Sequence, residues 1–275
     1  MEIADAKSII EQVGNSIFYE NSEKKRIIDF VNENEKANNQ VLKEMNSYEK
    51  FLRFVSCLPI RRQSGTYEEK AEKHYKSDEL EERLLKLDIN DNRWKDTEYL
   101  DKVVKESLIV YPFNESAGEI LSEAKKIYDD YYSQNFSKYL DEADYFYQNF
   151  VKDSSSSYFN GPFLKIKGVG YKTRDLGLST LINSFLSVDR HLMRIPYILG
   201  IFELSDILEA AWDNNSPRNK KEYNQIARFL MNLSNQLGIT PKKFDRIIWK
   251  FATEVCTKTN PICENCMVEV CKKRQ

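Results

Sequence analysis

Glycine and proline are scarce in this chain, 9 and 7 among 275 residues. A β-sandwich or propeller, which turns every ten residues or so, could not be built from so few. No apolar run approaches the ~20 residues that a membrane-crossing helix requires. The opening stretch MEIADAKSII also lacks the apolar core of a secretory signal. The expectation is therefore a soluble, cytoplasmic protein with no membrane partner. Alternation of apolar and polar residues, the mark of a half-buried strand, is missing over any convincing length, and no internal repeat is present.

What remains is ample material for a helical core. Hydrophobic residues make up 41% and charged residues 31%, an ordinary globular balance, and the fold class expected is all-α. Helical spacing of apolar residues runs through 22–34, with Asn21 as the expected N-cap. It recurs in 48–58, ending at Pro59, and in DELEERLLKLD, opened by Ser77 or Asp78. Asn114 is placed to cap SAGEILSEAKKIYDDYY. Thr240 and Pro241 start KKFDRIIWKFATEV, with proline where its missing N–H costs nothing. Residues 131–160 are rich in Tyr and Phe at mixed spacing; helix packing is the plain reading, and a ligand-facing surface is the other.

Charge is unevenly spread. The whole chain carries −2, yet residues 161–275 hold 18 Lys and Arg against 11 Asp and Glu, while the first 160 hold 23 against 32. A basic C-terminal part is compatible with an anionic partner, and solvated helix faces give the same pattern.

Three constellations carry chemistry. In FLKIKGVGYKTRDLGL, residues 163–178, Gly168 and Gly170 flank Val169 in a turn that leads into a helix from about Tyr171. Glycines allow close approach of another molecule, and the helix start offers N–H groups and a positive dipole end suited to a phosphate. A simple helix–helix turn has the same sequence. Lys172 falls on the first turn, where nearby Lys167 and Arg174 favour its neutral, nucleophilic form. In SVDRHLMR, residues 187–194, Asp189 is both a natural N-cap and a carboxylate seventeen residues beyond Lys172. His191 and Arg194 add phosphate-compatible groups. Finally, Cys256, Cys263, Cys266 and Cys271 lie within sixteen residues, whereas Cys57 stands far upstream. One C-x2-C pair with a long first gap suits a four-iron four-sulfur cluster, with a structural zinc as the alternative.

Together KGVGYKT, VDRH and the cysteine run resemble the endonuclease III branch of helix-hairpin-helix DNA glycosylases, in that family's order and near its spacing. The overlap is clear over about 163–200 and 240–275 and fainter over 49–70 and 105–130. The resemblance implies a two-lobed fold: a six-helix barrel over 49–184 that contains the hairpin, and a lobe of 1–48 with 185–275 that carries the cluster. Double-stranded DNA with a damaged or modified base would lie over the groove between the lobes, Lys172 and Asp189 at its mouth, on a monomeric, nucleoid-associated enzyme.

By the same resemblance Lys172 is the catalytic amine and Asp189 the carboxylate that assists it, giving a glycosylase that is also an AP lyase. Gly168, Val169, Gly170 and His191 fall in the DNA-contacting segments. CLPIRRQSGT would supply Gln63 as the wedge that fills the gap of the flipped base, with Arg61 or Arg62 on the backbone. A second wedge is expected at Tyr111 or Phe113. A damaged pyrimidine is the favoured substrate, with an oxidised purine such as 8-oxoguanine as its rival and a non-catalytic DNA-binding protein as the reading from another class. The last cysteine gap is one residue shorter than in the best-known relatives, residues 131–160 look inserted, and the overall charge is acidic. These departures bear on substrate choice.

Overall fold

The structure, a computed structural model, describes residues 3–59, 77–107, 117–153, 155–201, 217, 219–269 and 271. Among them the chain is helical apart from one two-stranded ribbon, and no helix is long and apolar enough to cross a membrane. Contacts divide the chain into a terminal unit, Met1–Val41 with Asn183–Gln275, and a middle unit, Leu42–Ile182.

The middle unit contains α3 (Ser47–Val55), α4 (Ser77–Leu84), α5 (Thr97–Glu106), α6 (Ala117–Tyr132), α7 (Phe136–Lys152) and α8 (Tyr171–Leu181). Local chemistry sets several of the helix starts. Asn46 closes a capping box on α3: its side chain accepts from the Glu49 N–H at 3.0 Å, and the Glu49 carboxylate accepts from the Asn46 N–H at 2.7 Å. Asp96 caps α5 through the Tyr99 N–H. The start of α6 is held from another helix, because Asp101 of α5 accepts from the Gly118 N–H at 2.7 Å.

The core of this unit is aromatic. Phe51 stacks on Tyr128 with centroids 4.3 Å apart, and Phe163 meets Phe54 and Tyr139 at 4.9 and 4.8 Å. Such offset and edge-on pairs add to the free energy of burial. Of the aromatic run at 131–160, Tyr132, Phe136, Tyr139, Phe150, Tyr158 and Phe159 are buried, while Tyr131 and Tyr145 are exposed. The run is mainly core.

The lysine-bearing helix α8 is buried along nearly its whole length, from Thr173 to Ser179. It packs on α3, and Gly177 permits the close approach. A Cβ there would lie 2.7 Å from the Phe54 ring and 2.9 Å from the Phe54 carbonyl oxygen.

The terminal unit joins both ends of the chain. It contains α1 (Ile3–Asn15), β1 (Ile17–Glu20), β2 (Glu23–Arg26), most of α2 (Ile27–Glu44), α9 (Arg190–Ile198), α10 (Lys220–Gln236) and α11 (Pro241–Glu254). Thr240 caps α11 through the Lys243 N–H, with Pro241 in the first turn, as the sequence suggests. The start of α2 departs from expectation. Residues 17–26 form an antiparallel hairpin, and the helix begins at Ile27, not after Asn21. Asn21 and Ser22 both take positive φ, 50° and 71°, the conformation a two-residue hairpin turn demands. Asn21 is therefore a turn residue and not a cap. Phe18 from β1 covers α11: the Lys250 ammonium sits 4.2 Å from its ring centre and 4.3 Å from that of Phe30, and pairs with Glu254.

Candidate functional site

The turn at Gly168–Gly170 lies in the middle unit. Gly168 has φ 92°, a backbone that favours glycine, and the Val169 N–H donates to the Ile166 carbonyl at 3.1 Å. The Val169 side chain is buried. Val169 thus enters the turn with its side chain packed and its amide engaged. Gly170 is the N-cap of α8 and provides no side-chain cap, and a Cβ added to it would meet nothing within 4 Å. This start differs from those of α3, α5, α9, α10 and α11, each of which has a side-chain oxygen on its first N–H groups. No side chain of the cap residue occupies the head of α8. Lys172 stands exposed on that first turn.

Arg174 does not join Lys172 in a positive surface. It is fully buried, pairs with Asp175, and donates to the Phe159 carbonyl at 2.8 Å. Three rings, those of Tyr158, Phe159 and Tyr171, surround its guanidinium at 5.0 to 5.5 Å. Burial works against the charge, and Asp175 with its neighbouring tyrosines more than offsets it, so the guanidinium is held above its ordinary pKa. The Tyr158 hydroxyl donates to the second oxygen of Asp175 at 2.6 Å. Burial, followed by that carboxylate, pushes the phenol well above its usual range. This network ties α8 to residues 158–159, ahead of the glycine turn.

Asp189 lies in the terminal unit as the N-cap of α9. One carboxylate oxygen, Oδ1, accepts from the His191 and Leu192 N–H groups at 2.8 and 3.0 Å. Among the described residues Oδ2 makes no hydrogen bond, which leaves an oxygen for an external positive charge on a half-buried carboxylate. His191 is half-buried, and its backbone N–H serves the cap. Upstream, Ser187 and Val188 are buried, and their N–H groups donate to Asp245 of α11 and to the Tyr223 hydroxyl of α10, each at 3.2 Å.

Cys256, Cys263, Cys266 and Cys271 line one pocket, whose other walls are Leu199, Phe251, Val255 and Pro261. No disulfide links them. Among the described residues no three His, Cys, Asp or Glu side chains already converge around a single ion position. Arg194 is buried beside this pocket and not on a phosphate-facing surface. Its guanidinium donates to the Ala252 carbonyl at 3.2 Å and lies 3.9 Å from the Cys256 Sγ. Burial lowers the Arg194 pKa, and the Cys256 sulfur acts in the opposite direction. A cation in that place suits a thiolate, so the donor set fits a metal centre held by sulfur.

Gln63, Arg61, Arg62, Tyr111, Phe113 and Asn114 lie outside the described residues. Tyr158, Asp175, Tyr223 and Asp245 were not legible as site-building residues, because each acts on a segment far away in sequence or, for Asp175, on a helix neighbour. Comparison with family models, with curated proteins and with solved structures returns no match for this chain.

Proposed function

We propose that this protein is a DNA glycosylase with AP-lyase activity, acting on a damaged or modified base, with a pyrimidine favoured. The observation that carries the reading is an exposed lysine on the first turn of a helix that starts at an uncapped glycine. A phosphate can be received at that helix head while an amine stands beside it. The fold that goes with this reading is the two-lobed helix-hairpin-helix arrangement with a six-helix barrel. The coarser, mainly helical character is what the described residues show.

In the proposed reaction the target nucleotide leaves the stack, which costs a few kcal/mol and favours weakly paired bases. The Lys172 Nζ lone pair attacks C1′ as the bond to the base breaks. The base leaves with the electron pair of the broken bond and takes up a proton. The bound amine loses a proton, its lone pair forms the C=N bond as the C1′–O4′ bond breaks, and the freed ring oxygen takes up a proton, giving a protonated imine. Removal of a C2′ proton then expels the 3′ phosphate, cleaving the strand. Asp189 stabilises positive charge developing at the sugar and assists deprotonation of the amine.

The four cysteines would hold a four-iron four-sulfur cluster, with zinc as the alternative metal. When bound, the centre supplies a covalent tie that closes the C-terminal loop.

Borohydride trapping on duplexes carrying an abasic site or a panel of modified bases tests the proposal. Wild type should form a covalent complex, and Lys172→Gln should form none. Asp189→Asn should retain DNA binding and turn over roughly a hundredfold more slowly. Cleavage by both variants at the wild-type rate would remove the mechanism. Binding without trapping by wild type would leave a protein that only grips DNA.

A further inference from the structure

We infer that Tyr223 and Asp245 are positioning residues for Asp189, an assignment that rests on the glycosylase reading above. The chain enters the cap of α9 through 183–188, a turn at 183–184 followed by residues in no helix or sheet, which could not hold its own register. Side chains and backbone from two other helices fix it. The Asn183 carbonyl accepts from the Lys242 N–H at 3.1 Å, at the first turn of α11. Asp245, one turn further along, accepts from the Ser187 N–H through Oδ2 at 3.2 Å. From α10 the Tyr223 hydroxyl accepts from the Val188 N–H at the same distance. Every group in the last two contacts is less than a tenth exposed, and Leu186 is buried as well.

The consequence is local and directional. Val188 is the residue before Asp189, and Asp189 has extended backbone, φ −121° and ψ −178°. Two bonded neighbours upstream and the cap bonds downstream leave the carboxylate little room to move. Oδ1 is committed to the helix, so the direction of Oδ2 follows from how the backbone enters. A buried N–H that loses its acceptor is costly and moves to find another. Displacement of a reacting group by about 1 Å can lower turnover a hundredfold. Tyr223 and Asp245 thus act on the chemistry through Asp189 without touching substrate.

The test uses the full-length protein with its metal and measures single-turnover base release, substrate KM and metal content. Tyr223→Phe removes only the oxygen and keeps the ring packed. It should lower the rate constant about ten- to a hundredfold, with KM and metal content unchanged. Asp245→Ala should do the same, and Asp245→Asn, which keeps an acceptor oxygen, should recover most of the loss. Amide hydrogen exchange over 183–189 gives a second readout independent of activity and should quicken in Tyr223→Phe. Wild-type turnover in Tyr223→Phe with quickened exchange would overturn the assignment, as would a loss confined to KM. If Asp245→Ala does not fold, Tyr223→Phe and Asp245→Asn decide alone. A wild-type protein that neither releases a base nor traps would count against the glycosylase reading itself.

Discussion

Arg174 places a charge inside the middle unit, and one carboxylate, one carbonyl and three rings compensate it. A buried pair of this kind contributes little compared with a well-packed apolar pair, but breaking it is expensive, because the remaining charge stays buried. Asp175→Ala should therefore destabilise the protein by about 3–5 kcal/mol, read from urea unfolding. The double replacement Arg174→Met with Asp175→Leu should cost much less. A loss below about 1 kcal/mol for the single variant would mean that the charge is satisfied by other groups. Nothing in the order of residues announces this pair: adjacent residues on a helix do not normally face one another. From the residues alone, Arg174 reads as part of a positive patch near Lys172; burial reverses that reading.

At the scale of elements, α8 is fixed by packing more than by its own sequence. Glycine within a helix normally disfavours it by roughly 0.5–1 kcal/mol relative to alanine. At Gly177 the sign should reverse, because a Cβ would press on the Phe54 carbonyl oxygen and ring at 2.9 and 2.7 Å. Gly177→Ala is expected to lower stability by about 1–3 kcal/mol, seen as a reduced unfolding midpoint. Should α8 carry the reacting lysine, trapping would slow as well, since the helix must shift off α3. Equal or greater stability would show that α3 and α8 leave room for a methyl group at Gly177. The caps at Thr240 and Asp189 are legible from sequence because each acts within three residues. The hairpin at 17–26 is not: β2 reads EKKR, with no apolar alternation, and only the positive φ of Asn21 and Ser22 reveals the turn.

At the scale of the molecule, the two chain ends build one unit. The Ser16 hydroxyl accepts from the Met267 N–H and the Gln12 side chain from the Glu269 N–H, both at 3.1 Å. These contacts clasp the cysteine loop between Cys266 and Cys271. If the loop holds an iron–sulfur cluster, purified protein should be brown, with absorbance near 400 nm, roughly as expected for sulfur-ligated iron. Ser16→Ala leaves the Met267 N–H without its acceptor, and release of iron to a chelator should then quicken several-fold, by about 1 kcal/mol. A colourless protein holding a single zinc would replace the cluster assignment. Unchanged release from Ser16→Ala would show that the clasp does not limit loss of the metal.

The sequence by itself determined the helical class, the helix starts at Tyr171, Asp189 and Thr240, and the grouping of four cysteines. These are local properties, set by apolar spacing, caps and thiol density within a few residues. It also determined which lysine and which carboxylate are the candidates, through the glycine turn and the VDRH cap. Only the tertiary structure decided which charges are available to a ligand. Arg174 and Arg194 look alike in sequence, yet burial assigns one to Asp175 and the other to the cysteine pocket. Desolvation makes an unpaired ion too costly to leave inside, so each buried cation takes its partners from whatever the fold brings near. The same holds for the backbone before Asp189, whose acceptors come from α10 and α11, 35 and 58 residues further along the chain.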